Sequence, residues 1–116
     1  MRDLEADALA IYGSLRPGEP NHWVVKSLGG EWLTGAVRGW RFELSWGPAQ
    51  GYDGFIANEA GNEVAVDVLV SDRLAKHWHE VDDFEGPGYQ RVPINVVLDD
   101  GREITAQIYE AVPEAE

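Results

Sequence analysis

The sequence contains no cysteine, which excludes disulfide bonds, cysteine-based zinc sites and thiol nucleophiles. Lysine is nearly absent as well, and nine basic residues stand against 21 acidic ones, for a formal net charge of −12. Such a surface repels phosphate, so we expect neither nucleic acid nor an anionic membrane as a partner. No apolar run approaches the ~18 residues of a membrane-spanning helix, and the acidic start is unlike a signal peptide. We therefore expect a cytoplasmic protein.

A chain of 116 residues with 44% hydrophobic residues is long enough to bury a core without metals or disulfides. We find no internal repeat, no low-complexity tract and no linker that would divide the chain. These features predict one domain spanning residues 1–116. The high negative charge favours a monomer or a small homo-oligomer.

Most of the chain shows the short, alternating hydrophobic pattern of β-strands, interrupted by turns. Gly39 divides the longest of these segments, and the Asp-Gly pair at Asp100-Gly101 predicts a hairpin turn. The predicted strands cover residues 8–12, 31–45, 55–59, 64–70, 89–98 and 104–109.

Two helices are predicted between the strands. Asn21 is a suitable cap for a short helix that ends near Leu28, and Ser71 is a suitable cap for a longer one. In the longer helix, spacings of four and three residues create one apolar stripe formed by Leu74, Trp78 and Val81. Together with the strands, this pattern predicts an α+β fold, a closed or nearly closed small β-barrel of about six or seven strands with two flanking helices.

The first candidate functional segment begins at Tyr12, where an apolar strand runs directly into Gly13 and Ser14. A strand that ends in this way exposes several backbone N–H groups at one end of a sheet. Such groups can bind a carboxylate or a developing oxyanion. The alternative is a strand end closed by an ordinary glycine turn.

The second candidate segment has three carboxylates, Asp82, Asp83 and Glu85, at the end of the longer helix. The helix dipole disfavours negative charge there. If Glu85 points inward beside Phe84 and Tyr89, desolvation raises its pKa toward the range of a general acid/base. The alternative is a charged helix end in contact with water.

Other familiar sites are not indicated. His77 and His79 are two residues apart on a helix and do not share a face, so no metal site is predicted there. The sequence contains neither a phosphate-binding Gly-x-x-x-x-Gly-Lys-Ser/Thr loop nor a Gly-x-Ser-x-Gly elbow. Phosphoryl transfer from a nucleotide and common serine hydrolysis are therefore poor matches.

Taken together and in this order, residues Tyr12–His22 and Asp82–Arg91 resemble the gamma-glutamylcyclotransferase-like family. The nearest branch is the short gamma-glutamylamine cyclotransferase type, which is similar in its Tyr-Gly-Thr-Leu opening and its Asp-Asp-Phe-Glu-Gly segment. The closing strand pair around Asp100-Gly101 matches in placement too. The resemblance covers residues 8 to about 111.

The resemblance implies a small mixed β-barrel with helices that cleaves a γ-glutamyl amide and releases 5-oxoproline, without a metal or an organic cofactor. It implies a small-molecule γ-glutamyl substrate, Glu85 as the catalytic acid/base, and a substrate-binding loop formed by Tyr12, Gly13, Ser14 and Leu15. Tyr89 is expected to close the pocket or to hydrogen-bond Glu85. An anionic substrate needs a nearby cation in so acidic a protein, and Arg16 and Arg91 are candidates.

The sequence departs from the family pattern at two places, and two alternative functions remain open. Ser14 stands where the nearest branch often has Thr, a change that keeps the hydroxyl group. The loop after Glu85 is shorter than in the animal enzymes, so the resemblance does not determine the leaving group of the reaction. One alternative is a non-catalytic binding module for a small γ-glutamyl or amino-acid ligand. The other is an acyl-transfer or deprotecting enzyme that acts on a different γ-glutamyl metabolite.

Overall fold

The computed structural model describes residues 2–3, 7–12, 18, 23–26, 28–43, 53–86 and 88–111. Within these residues, strands and helices alternate irregularly along the chain, as expected for an α+β fold. The elements are β1 (Arg2–Asp3), β2 (Ala8–Ile11), α1 (Trp23–Lys26), β3 (Glu31–Glu43), β4 (Asp53–Ala57), β5 (Asn62–Val70), α2 (Leu74–Glu85), β6 (Tyr89–Leu98) and β7 (Glu103–Ala111).

Five of the strands close on one another to form the barrel. β2 runs parallel to β7 and antiparallel to β5, and β5 runs antiparallel to β3. β3 also pairs with β6, which forms a hairpin with β7 and so completes the ring. β1 extends the sheet beside β7, and β4 extends it beside β3. The predicted mixed barrel is confirmed, with the short β1 as a strand that the sequence pattern did not indicate.

β3 changes its partner at Gly39, the position where the sequence predicts a break. Before this residue β3 pairs with β5, and after it with β4. A Cβ atom at Gly39 would lie 2.3 Å from the carbonyl oxygen of Ile56 and 2.5 Å from the ring of Phe55. Only glycine allows the backbone to approach this closely, so Gly39 sets where the second half of β3 leaves the barrel wall.

Among the described residues, the two larger parts of the hydrophobic core lie on opposite sides of the barrel wall. Along β2, side chains lie alternately in the barrel interior and on its outer face, because successive side chains of a strand point to opposite faces. Ala8, Ala10 and Tyr12 belong to the barrel interior. Leu9 and Ile11 belong to the outer cluster, which packs beneath the helices and includes Leu74, Trp78, Val81 and Tyr109.

The two predicted helices differ in outcome. The buried stripe of Leu74, Trp78 and Val81 is confirmed on α2. Its start is different from the prediction, because the backbone N–H of Arg73 donates to Ser71 Oγ at 3.2 Å in a turn that precedes the helix. The prediction of a second flanking helix through Leu28 is wrong in extent, since the described residues there contain only the single turn α1. Four residues are too few to form a helix that is stable by itself.

The helices of the described residues do not reach the length and hydropathy that a membrane-spanning segment requires.

Candidate active site

The topology brings Tyr12, the first residue of one candidate segment, and the end of α2 to the same end of the barrel. Because β2 and β7 are parallel, their carboxyl ends lie side by side, with Ala10 opposite Ile108. β6 begins at this end, where Tyr89 pairs with the last residue of β7, Ala111. α2 ends at Glu85, four residues before Tyr89. Tyr12, directly after β2, and Glu85 therefore flank the same barrel end.

Tyr12 is anchored at the mouth of the barrel. Its side chain is 5% exposed, and its ring packs against Phe55 with 5.5 Å between the ring centroids. Its hydroxyl donates a hydrogen bond to the backbone carbonyl of Tyr109 at 2.7 Å. This bond joins the end of β2 to the end of β7. Tyr12 thus provides a fixed starting point for the segment that follows it.

The remaining residues of the predicted substrate-binding loop, Gly13, Ser14 and Leu15, lie outside the described residues, as does Arg16. Their role therefore stays a prediction.

Glu85 is the last residue of α2, and its side chain is partly buried. Burial disfavours the charged carboxylate and raises the pKa of Glu85 from 4.5 to about 7. At neutral pH, a carboxyl group with this pKa is present in both its acid and its base form. That is the property a side chain needs in order to accept a proton in one step and return it in the next.

A second carboxylate of the same helix, Asp82, is held by groups from two strands. The Tyr109 hydroxyl donates to Asp82 Oδ1 at 2.6 Å. Arg91 donates from Nε at 2.9 Å and from Nη2 at 3.3 Å, one bond to each carboxylate oxygen. The Arg91 guanidinium also lies over the Trp78 ring, 4.4 Å from its centroid. These contacts fasten the end of α2 to β6 and β7.

The two carboxylates therefore have opposite environments. Burial by itself would raise the pKa of Asp82, but the hydrogen bonds from Tyr109 and Arg91 and the charge of Arg91 lower it below its ordinary value. The pKa of Tyr109 is raised, first by burial and then by Asp82, and the Glu85 carboxylate contributes too. Two neighbouring carboxyls whose pKa values are moved apart are a typical acid/base arrangement.

Asp82 should contribute measurably to stability, whereas its neighbour Asp83 should not. Replacing Asp82 with Ala removes charge-assisted hydrogen bonds and leaves Arg91 and Tyr109 without this acceptor. We expect a loss of about 1–3 kcal/mol in the free energy of unfolding at pH 7. Asp83→Ala is the matched control, since the Asp83 side chain is 71% exposed and pairs only with His79 among the described residues. Its expected effect is within about 0.5 kcal/mol.

Urea titration of both variants checks this difference. Because the folded-state pKa of Asp82 lies below the ordinary 3.8, the difference is fully present above that pH. It should shrink as the pH falls further, when Asp82 becomes protonated. Equal stability of the two variants at pH 7 would contradict the assigned role of Asp82.

The structure changes the expectation for Arg91 and places Tyr89. Arg91 is the partner of Asp82, so its charge is balanced within the protein and is a poor candidate for attracting the substrate. Tyr89 is partly buried at the barrel end, where it packs against Phe42 and Ala111 and against the outer cluster. A role for Tyr89 in the pocket stays a prediction.

Tyr109 and the partnership of Asp82 with Arg91 were not predicted. Part of this arrangement could have been predicted from the hairpin turn. Counting residues outward from Asp100 along both strands places Arg91 opposite Tyr109, and the structure shows this register. Counting does not show that both side chains reach a helix on the outside of the barrel.

The histidines of α2 point to different partners. His77 Nδ1 lies 2.7 Å from the Arg73 carbonyl oxygen, and His79 Nε2 lies 3.3 Å from the Asp83 carboxylate. In the part of the chain that the structure describes, no three side chains of the metal-ligating types are grouped.

Several solved structures share this fold. An AIG2-like protein from Mus musculus matches with a TM-score of 0.70 and 21% identity, over 96% of this chain and 80% of that one. A protein from Pyrococcus horikoshii matches with a TM-score of 0.63 and 21% identity, over 95% of this chain and 81% of that one. A protein from Arabidopsis thaliana has a TM-score of 0.69 and 24% identity, over 95% and 71%. At these identities the likeness shows the fold alone.

The family itself is shown by the sequence. Among curated proteins, none matches this chain. A family model described as Gamma-glutamyl cyclotransferase, AIG2-like, matches residues 9–116, nearly the whole length, including both candidate segments. The chain therefore belongs to the gamma-glutamyl cyclotransferase, AIG2-like family.

Proposed function

We propose that this protein is a γ-glutamyl cyclotransferase in which Glu85 is the general acid/base. It would cleave a small-molecule γ-glutamyl amide and release 5-oxoproline together with an amine or an amino acid. The observation that carries the proposal is that Glu85 is partly buried at the end of α2 and has a pKa of about 7. Membership of the family supports the class of reaction.

The reaction is an intramolecular aminolysis. The Glu85 carboxylate removes a proton from the substrate's α-ammonium group, and the freed amine attacks the γ-carbonyl carbon. A new C–N bond closes a five-membered ring, and the carbonyl oxygen becomes an oxyanion. Protonated Glu85 then gives its proton to the leaving nitrogen, the original C–N bond breaks, and the carbonyl re-forms. The ring nitrogen, positively charged since the attack, gives its extra proton to the regenerated Glu85 carboxylate, which passes it to the released amine. The products are then 5-oxoproline and an ammonium ion.

The enzyme supplies position and one proton carrier. The nucleophile and the electrophile belong to one molecule. Holding the substrate in a folded conformation therefore lowers a large part of the activation free energy. The reaction as written involves no change of oxidation state and uses no cofactor. A single carboxyl group with a pKa near 7 can serve these proton transfers in turn.

In this proposal, the loop after Tyr12 holds the substrate. The backbone N–H groups of Gly13, Ser14 and Leu15 would bind the developing oxyanion or a carboxylate. The support for this role is the anchoring of Tyr12 by Phe55 and by the Tyr109 carbonyl, at the end of the barrel where Glu85 lies. Tyr89 would form part of the pocket wall.

The test is 5-oxoproline release from a panel of γ-glutamyl amines and γ-glutamyl peptides, followed by chromatography. We expect release from at least one member, and the amine released with it identifies the leaving group. Binding of the panel without release would instead favour the binding module. Consumption of a panel member with a product other than 5-oxoproline would favour a different γ-glutamyl acyl transfer.

A further inference from the structure

Tyr109, near the end of β7, is hydrogen-bonded to both candidate segments. Its backbone carbonyl accepts a hydrogen bond from the Tyr12 hydroxyl at 2.7 Å. Its own hydroxyl donates to Asp82 Oδ1 on α2 at 2.6 Å. The Tyr109 side chain is buried in the outer cluster. One residue of the barrel wall therefore contacts both the first residue of the predicted substrate-binding loop and the last turn of α2.

Asp82 begins a short closed segment that contains Glu85. The backbone N–H of Gly86 donates to the Asp82 carbonyl oxygen at 3.0 Å, which closes the helical turn that carries Glu85. The side chain of Arg91, on β6, returns to the Asp82 carboxylate through hydrogen bonds of 2.9 and 3.3 Å. Asp82 and Arg91 thus join the two ends of this segment. The position of the Glu85 backbone depends on where Asp82 is held.

The Asp82 carboxylate is held from two neighbouring strands. Tyr109 and Arg91 are directly opposite each other in the β6–β7 hairpin, so their side chains lie on the same face of the sheet. Arg91 also lies over the Trp78 ring, one turn earlier in α2. Packing in the outer cluster requires only the ring of Tyr109. Its hydroxyl adds a directed contact to the helix that a phenylalanine does not make.

The environment of Glu85 depends on how closely this helix end packs on the strands. Burial raises the pKa of Glu85 to about 7, and a helix end that moved outward would let water reach the carboxyl group. The titratable and charged groups packed at this helix end are Tyr109 of β7 and Arg91 of β6, with Asp82 and His79 on α2 itself. An anchor for the helix end therefore also preserves the burial of Glu85.

We infer that Tyr109 is a positioning residue that holds the two halves of the active site at a fixed separation, the substrate-binding loop through Tyr12 and Glu85 through Asp82. This inference rests on the proposed function. In the cyclisation, the loop holds the substrate while one carboxyl group moves its protons, so loop and carboxyl group must stay in register. A misplacement of about 1 Å in such an arrangement can cost on the order of 10²-fold in rate.

The first experiment measures the titration of Glu85 and does not depend on turnover. Carbon-13 NMR follows the side-chain carboxyl signals with pH, and the signal missing in Glu85→Gln belongs to Glu85. In Tyr109→Phe we expect the pKa of Glu85 to fall from about 7 toward 4.5, by about one unit, because the loosened helix end admits water. A change of polarity alone would raise this pKa instead, since Tyr109→Phe removes a polar group and keeps the Asp82 charge.

Two further variants separate positioning from general stability. Ile104→Val, in the barrel interior at the hairpin end of the same strand, is the matched control. It should destabilise the protein, as urea unfolding measures, without moving the Glu85 titration. Arg91→Lys keeps the charge beside Asp82 but loses the planar fork, so it should lower the pKa of Glu85 in the same direction as Tyr109→Phe.

The second experiment uses turnover of a γ-glutamyl amide that the wild type cleaves. Tyr109→Phe should lower kcat roughly 10-fold with a smaller change in KM, and the pH midpoint of kcat/KM should move down with the Glu85 titration. Tyr12→Phe removes the other hydrogen bond of Tyr109 and should raise KM without moving this midpoint. Ile104→Val should change none of these quantities.

The outcomes separate this inference from the proposed function. An unchanged Glu85 titration in Tyr109→Phe overturns the positioning role, even if the variant is less stable, and so does an equal shift in Ile104→Val. If Tyr109→Phe does not fold, the titration in Arg91→Lys decides in the same way. A titration that moves as expected, in a protein whose wild type releases no 5-oxoproline, supports the anchoring of Glu85 through Tyr109 and contradicts the cyclotransferase.

Discussion

Glu85→Gln is expected to lower the rate of 5-oxoproline release on the order of 10²- to 10⁴-fold, the usual contribution of a positioned general acid/base. Glutamine nearly preserves the size of the side chain and its hydrogen-bonding capacity, but it cannot exchange a proton. The fall should appear mainly in kcat, because substrate binding does not require the proton transfer. In the wild type, kcat/KM should rise with pH with a midpoint near 7, as Glu85 loses its proton.

The matched control for this loss is Glu80→Gln, which changes an exposed glutamate on the same helix. We expect its activity to equal that of the wild type. An active Glu85→Gln protein would remove Glu85 from the mechanism, whatever the product of the reaction. Circular dichroism of both variants confirms that any loss of activity is not a loss of folding.

The same substitution, Glu85→Gln, should stabilise the protein at high pH. The folded-state pKa of about 7 lies above the ordinary 4.5, so the folded protein binds this proton more tightly than the unfolded chain does. The stabilisation from the bound proton is complete below pH 4.5 and is lost as the pH rises to 7. An increase of the pKa from 4.5 to about 7 corresponds to roughly 3 kcal/mol at most. Glutamine has no charge to desolvate and escapes this loss.

Urea unfolding at pH 4.5 and at pH 8 measures the effect. We expect the two proteins to differ little at pH 4.5, and Glu85→Gln to be more stable by up to roughly 3 kcal/mol at pH 8. Glu80→Gln should differ from the wild type by only a few tenths of a kcal/mol at both values. If Glu85→Gln gains no stability at pH 8, the Glu85 carboxylate is solvated and is not a poised acid/base.

A loss of activity together with a gain in stability at pH 8 in Glu85→Gln would show that the Glu85 carboxylate is needed for the reaction but destabilises the fold. A carboxylate in a partly buried position lowers the free energy of unfolding at neutral pH, and packing elsewhere must compensate. An ordinary charged helix end would give neither result. The pair of measurements therefore separates the functional interpretation of the Asp82–Glu85 segment from the solvated one.

Much of the barrel could be predicted because its local signals agree with the tertiary fold. The alternation along β2, the break at Gly39 and the Asp-Gly turn each depend on neighbouring residues in the chain. The helix through Leu28 was wrong in extent, because a suitable cap and three apolar residues do not show how far a helix continues.

The candidate site was predicted only in part. Glu85 could be singled out because its position at a helix end beside glycine and aromatic residues is a local feature. The role of Asp82 could not be separated from that of Asp83, since the two are adjacent and chemically identical. Only the packing of α2 against β6 and β7 distinguishes them, by pointing one at Arg91 and Tyr109 and the other toward solvent.

The sequence by itself determined the strand pattern, the acidic character of the protein, and the two segments whose order identifies the family. These properties follow from composition, period and spacing along the chain. The tertiary structure decided which charges are neutralised by a partner. It placed Arg91 on Asp82, although the sequence offered Arg91 as a cation for the substrate. The physical reason is that electrostatic partnership depends on distance and burial, and only the closure of the barrel fixes these.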